Sequence, residues 1–291
     1  MTKTFRGLSE LRQILHDRGL TIVGGTISDD SGAETHLYDS NYYRFSGYAR
    51  QFQPDTGDGD QSFMSGTRYA DIQVFMARDT EFRLLLFEAL SVVEVCVRSR
   101  FAHEAGAIFG SGAFYLDSET YLDITPRLTQ HIEKMRTDLL RPKLATVARY
   151  RNGEDLSAVP LWVAIEHMSF GTVAKMIGYF RDISAAKTTS EKLSVPWEGF
   201  HSTNHSFSIL RNICAHHGQL WNRRIDITAP VLGKLKRFEP KYDNGSVYAT
   251  IIMLKKYVRM IDAQSDWPAR VDLFLDLNPD FAAGIYHPTP K

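Results

Sequence analysis

Residues 71–104 read DIQVFMARDTEFRLLLFEALSVVEVCVRSRFAHE. Leu86, Leu90, Val93, Val97 and Phe101 recur there at steps of four, three, four and four. That spacing places all five on one face of a helix and predicts a long helix with a single apolar stripe. Upstream, QPDTGDGDQSFMSG (53–66) is a cluster of turn formers that sets a short N-terminal region apart. In that region Leu8, Leu11 and Leu15 follow helical spacing, and NYYRFSGYARQF wraps Tyr42, Tyr43, Phe45 and Tyr48 around another short helix. Downstream, helical patterns run from about residue 127 to 150, with Pro142 a break, and from about 161 to 180. A further helix is predicted over 202–221, and Val247, Ile251, Leu254, Val258 and Ile261 mark a later one. Asp266 is placed to cap a last helix that opens on Trp267 and Pro268. Period-two alternation is scarce, so the expected class is all-α. The expected organisation is an N-terminal helical region and loop (1–65), a helical core (66–225) and a C-terminal helical extension (226–291).

A chain of 291 residues, 43% hydrophobic, buries a sizeable core. Lys and Arg total 34 and Asp and Glu total 34, so no global positive field draws the chain to nucleic acid or to an anionic membrane, and any basic surface is local. The two cysteines, Cys96 and Cys214, lie within apolar helical patterns and form no disulfide framework. The opening MTKTFRGLSELRQIL lacks the apolar run of a signal peptide, and no stretch reaches about 18 apolar residues without a charge. The expectation is a soluble cytoplasmic protein without a membrane segment. Walker-type phosphate loops, a Gly-x-Ser-x-Gly elbow and Cys-x-x-Cys pairs are absent, which removes support from the enzyme classes built on them.

Arginine, four residues, then histidine occurs at Arg98–His103 and at Arg211–His216. With 22 arginines and 10 histidines in the chain, chance placement alone produces about two such pairs, so the bare pattern says nothing. The setting of the second pair, LRNICAHHGQLWNRR (210–224), says more. It resembles the signature of the Abi-like (AbiD/AbiF) abortive-infection family, in which RN, an apolar pair and AHH precede LWNR. NYYRFSGY (41–48), the 71–104 helix and PLWVAIEHMSFGTVAKM (160–176) resemble other blocks of that family in the same order. Together they span most of residues 8–225, and the C-terminal extension falls outside the resemblance.

The resemblance implies a HEPN-like helical bundle with additional terminal helices, acting as a ribonuclease in bacterial phage defence or as a growth-arresting toxin. It also implies a homodimer that pools Arg and His residues across a two-fold axis, and a structured small RNA as a regulatory partner. Arg211 and His216 take the catalytic roles, with Asn212, His217 and Arg98 supporting.

Helix geometry supplies a separate reading of the same segment, at about 100° per residue. Phe207, Leu210, Cys214 and Trp221 form a core stripe, while His205, Asn212, His216 and Arg223 share a polar strip. Arg211 lies about 140° from His216 on an ideal helix, so one helix does not hold the pair side by side.

RNA carries its own nucleophile, the 2′-hydroxyl, so cleavage requires proton transfer and charge stabilisation and needs no cofactor. Histidine suits the first task and arginine, with its two-pronged grip on phosphate, the second. The bland alternative is that both are surface residues of a packed helix. Arg98 stands four residues after Glu94 and is explained equally by an ordinary ion pair, which leaves His103 a surface role.

His201 and His205 have the spacing of paired metal ligands, but a continuous helix puts His205 about 16 Å from His216, and no metal site is expected. From Arg211 to Arg259 ten basic residues face three acidic ones. Arg223, Arg224, Lys234, Lys236 and Arg237 are therefore candidate RNA contacts, as are Tyr42, Tyr43 and Arg44 through stacking and phosphate pairing. The rival function is a catalytically silent RNA-binding module on the same scaffold.

Overall fold

The computed structural model describes residues 4–23, 29–54, 60–237 and 239–290. Three short helices open the chain, α1 (Leu8–Asp17), α2 (Asp30–Ser40) and α3 (Tyr42–Ala49). The long α4 (Tyr69–Phe109) follows, then α5 (Pro126–Leu139), α6 (Ala145–Ala148), α7 (Leu161–Ala164), α8 (Phe170–Tyr179), α9 (Ser184–Lys192) and α10 (Phe200–Ala215). The single turn α11 (Gly233–Lys236) leads to α12 (Val247–Ile261), α13 (Trp267–Leu277) and α14 (Pro279–Tyr286). Among the described residues there is no strand, only four isolated bridges, so the class is all-α. No helix among them is long and apolar enough to cross a membrane.

The 41 residues of α4 make an axis about 60 Å long. Its start is fixed by Asp71, whose carboxylate accepts the Arg68 amide at 3.0 Å, and its end by Gly110, which turns the chain at φ 81°. All five residues of the apolar stripe, Leu86 to Phe101, are fully buried. α7, α8, α9, α10 and α12 pack on α4, and α10 packs on α8 as well. The N-terminal helices dock on the first turns of α4. Tyr69 donates its amide to the Thr21 carbonyl at 2.8 Å, and its ring stacks on Phe45 with centroids 4.4 Å apart. At the other end of the chain, the Trp267 indole donates to the Leu85 carbonyl at 2.6 Å, which ties α13 to α4. Of the turn-rich 53–66 segment, residues 55–59 lie outside the described residues; the remainder is irregular.

Three predicted elements differ. The helix expected over 161–180 is two pieces, because Met168 is extended and the Ser169 hydroxyl caps α8 by accepting the Thr172 amide at 3.2 Å. The helix expected to run to Trp221 stops at Ala215. Asp266 precedes α13 without capping it. Its carboxylate pairs instead with Arg270 at 3.1 Å, the Ser265 hydroxyl accepts the Trp267 amide at 3.3 Å, and α14 is the last helix. Pro142 does end α5, and α12 spans the predicted residues.

Candidate functional site

The inner side of α10 is held by Phe207, Leu210 and Cys214, all buried, and by the Ser206 hydroxyl, 2.6 Å from that of Thr250 on α12. Burial pushes the Cys214 thiol up to about 12, so it is an inert core residue and no thiolate nucleophile. Arg211 leaves this face half-buried. Its Nε donates to one oxygen of Glu94 on α4 at 3.0 Å, and Arg98 Nη1 donates to the other at 3.1 Å. Arg98 also donates to the Ile165 carbonyl. Only 7% of the Glu94 side chain is exposed, against 31% for Arg211. A buried carboxylate thus orients two guanidiniums, and the cluster carries one net positive charge facing solvent through Arg211. Arg211 Nη1 reaches the Asn212 carboxamide oxygen at 3.2 Å, and Nη2 makes no hydrogen bond among the described residues.

His216 and His217 follow directly. His216 is exposed and ends α10, its amide donating to the Asn212 carbonyl at 2.9 Å. His217 is exposed in the left-handed region at φ 57°, and the Gly218 amide closes the helix end by donating to the Ile213 carbonyl at 2.8 Å. The chain then turns back over α4, so Trp221 and Arg223 are not on the helix. Trp221 is buried through the loop, its indole tight against Gly284, where an added Cβ would sit 2.4 Å from Nε1. The shared polar strip of His205, Asn212, His216 and Arg223 therefore does not form. Arg223 folds back onto the Gln219 carbonyl at 2.9 Å, and His205 is half-buried beside His201.

Three charged residues of this region were not among the predicted site residues: Glu94, Asp79 and Arg83. Their signal was present in the stripe of α4. Continuing it upstream from Leu86 at steps of three and four lands on Arg83 and Asp79, and Glu94 lies four residues after Leu90. A charge on a core stripe demands a buried partner. Asp79 and Arg83 form a buried pair, and Asp79 accepts the Tyr48 hydroxyl at 2.5 Å and the amides of Leu220 at 3.1 Å and Trp221 at 2.9 Å. Burial pushes the Asp79 carboxyl up, opposed by the Tyr48 hydroxyl and the Arg83 guanidinium.

The candidate RNA contacts are dispersed. Tyr43 is exposed and Tyr42 half-buried, their rings edge to face at 5.9 Å. Arg44 donates to the His217 carbonyl at 2.6 Å, so it braces the site's backbone from α3. It also lines an open cleft of about 850 Å³ shared with His36, Arg68, Met76 and Glu81. Lys234, Lys236 and Arg237 are exposed on and just after the single turn α11, and Arg224 lies 3.9 Å from Asp243. His201 and His205 stack at 6.1 Å in the α8–α10 crossing, where Gly178 leaves the space for the His201 ring. Burial lowers the pKa of both histidines. No three metal-ligating side chains converge among the described residues.

A helical bundle that presents an oriented Arg211 and an exposed His216 at the end of one helix is the setting in which the comparisons fall. The family model described as Abi-like protein matches residues 35–222, more than half of the chain. The chain belongs to the Abi-like protein family, and membership points to abortive infection, a bacterial defence against phage. The match takes in Arg44, Asp79, Glu94, Arg98, Arg211 and His216 and stops before α11. No curated protein and no solved structure matches the chain.

Proposed function

We propose that this protein is a metal-independent endoribonuclease of the HEPN type, working as a cytoplasmic homodimer in abortive-infection defence. The observation that carries the reading is the Glu94–Arg211 contact. A buried carboxylate fixes the guanidinium at Nε and leaves Nη2 for phosphate, on the helix that ends at exposed His216. In the reaction the 2′-oxygen attacks phosphorus, the P–O5′ bond breaks, and the products are a 2′,3′-cyclic phosphate and a 5′-hydroxyl. One proton leaves O2′ and one reaches O5′. The His216 imidazole has one nitrogen that can accept a proton and one that can donate it, which suits either transfer. Arg211 offsets the charge that grows on the phosphoryl oxygens. RNA is the substrate, and a structured small RNA fits as a regulatory partner.

The test is end-labelled RNA incubated with RNA-free purified protein, with and without EDTA. Cleavage that survives EDTA, leaves cyclic phosphate ends and spares DNA supports the proposal. Cleavage abolished by EDTA and restored by one divalent ion replaces it with a metal-assisted mechanism. Tight RNA binding without cleavage replaces it with the silent RNA-binding module.

A further inference from the structure

The apolar spacing of Leu210, Cys214 and Trp221 continues the helical register of α10 to Trp221, yet the helix stops at Ala215. In a continued helix the Leu220 amide would bond the His216 carbonyl, Trp221 that of His217, and Asn222 that of Gly218. The helix closes locally, with the Gly218 amide on the Ile213 carbonyl at 2.8 Å, and each of the three later pairings has been taken over by a competitor. Asp79 accepts both the Leu220 and the Trp221 amides. Arg44 donates to the His217 carbonyl at 2.6 Å and Arg83 to the Gly218 carbonyl at 3.3 Å. The Asn222 amide donates to the Gly284 carbonyl at 3.2 Å. The loop so held keeps two non-glycine residues left-handed, His217 at φ 57° and Asn222 at φ 56°, a conformation that relaxes unless its surroundings enforce it.

The Asp79–Arg83 pair has no need of a charge to fill its space. Apolar residues of similar volume often serve a core position as well as a buried ion pair does. What apolar residues do not supply is acceptors for two adjacent amides and a donor for a carbonyl.

We propose that Asp79, together with Arg83 and supported by Tyr48, is the positioning group of the site: it ends α10 at Ala215 and holds His216 and His217 at the helix terminus. Without this clamp the helix runs on through Trp221, and His216 becomes a side-facing residue within it. The clamp is a property of the fold. Its consequence for cleavage rests on the ribonuclease reading.

The test uses the full chain carrying the double substitution Asp79→Leu with Arg83→Met, which removes both buried charges together, and Tyr48→Phe, which removes one hydrogen bond to Asp79 and keeps the ring. Two quantities are measured: Cα chemical shifts of residues 216–221 and steady-state cleavage of a labelled RNA. In the double variant the shifts should move to helical values. kcat per folded molecule should fall at least about tenfold while KM stays within about threefold; unfolded protein also lowers apparent kcat at constant KM, so the folded fraction is measured beside it. Tyr48→Phe should shift both in the same direction by less, and it alone decides the matter where the double variant does not fold. Unchanged Cα shifts in a folded variant overturn the clamp, and helical shifts with undiminished kcat overturn its positioning role. Should the wild-type protein leave RNA intact, the ribonuclease reading falls by itself. The chemical shifts then confirm or overturn the clamp alone.

Discussion

His216 and Glu94 are opposite kinds of site residue, one exposed at a helix end and one buried under two guanidiniums, so their substitutions are expected to fail differently. His216→Ala removes a surface side chain whose loss costs within about 0.5 kcal/mol of stability. It should lower cleavage about 10² to 10⁴-fold, the usual contribution of a general acid or base. Arg211→Ala should cripple cleavage at least about 10²-fold with the fold retained, since Arg98 stays paired with the buried Glu94 carboxylate. Circular dichroism and gel filtration beside the cleavage assay check both. Full activity in both variants would remove the ribonuclease reading. Glu94→Gln, in contrast, leaves Arg98 and Arg211 without their shared counter-charge, one of them 13% exposed. It should cost about 3 kcal/mol of stability as well as activity. A denaturant titration showing no loss would mean that the two arginines find other partners.

At the scale of elements, α5 and α10 carry three histidines, His131, His201 and His205, whose pKa values burial lowers, with neighbouring Lys175 contributing at His131 and His205. The largest shift is at His131, which is lowered to about 4. Because the unfolded chain takes up a proton near pH 6.5 that the folded chain refuses until about pH 4, stability is full above about pH 6.5 and is lost as pH falls toward 4. The loss assigned to His131 alone reaches about 3 kcal/mol at the acid end. His131→Phe should flatten the fall in melting temperature between pH 7 and pH 5, and an unchanged slope would place the acid sensitivity elsewhere. The single turn α11 bears a different prediction. If its exposed Lys234 and Lys236, with adjacent Arg237, track phosphates, changing all three to Gln should reduce the salt slope of RNA binding by up to about two units, from roughly 0.7 per contact on single strands. Catalysis at saturating RNA should change less. An unchanged slope would return them to ordinary surface charge.

For the whole molecule, the question is whether one subunit holds a complete site. Arg211 is anchored to α4 of its own chain while His216 stands at the end of α10, and the proposed dimer pairs each patch with its own copy. Where each site takes Arg211 from one subunit and His216 from the other, a heterodimer of Arg211→Ala and His216→Ala subunits contains one intact site and one empty one. Co-expression with two affinity tags should then recover part of the activity. No recovery in verified heterodimers would mean that both groups come from the same chain.

The sequence by itself determined the all-α class, the long axis of α4 and the residues of its buried stripe, because amphipathic spacing is a local property that packing then satisfies. It also pointed to α10 and to Arg211 and His216 through the 210–224 motif, and to Arg98 as the ion-pair partner of Glu94, an i,i+4 relation internal to one helix. Even the charges Asp79, Arg83 and Glu94 stood visible on the stripe. Only the tertiary structure decided what they hold. Glu94 meets Arg211 from 117 residues away, and Asp79 meets the Leu220 amide from 141 residues away. For the same reason the end of α10 departs from its spacing: the register runs on to Trp221, whereas the backbone groups that would extend the helix are claimed by side chains of α3 and α4 and by the Gly284 carbonyl of α14. Hydrogen bonds donated by a distant backbone amide depend on no side chain at the donating residue, so they leave no pattern in the sequence there.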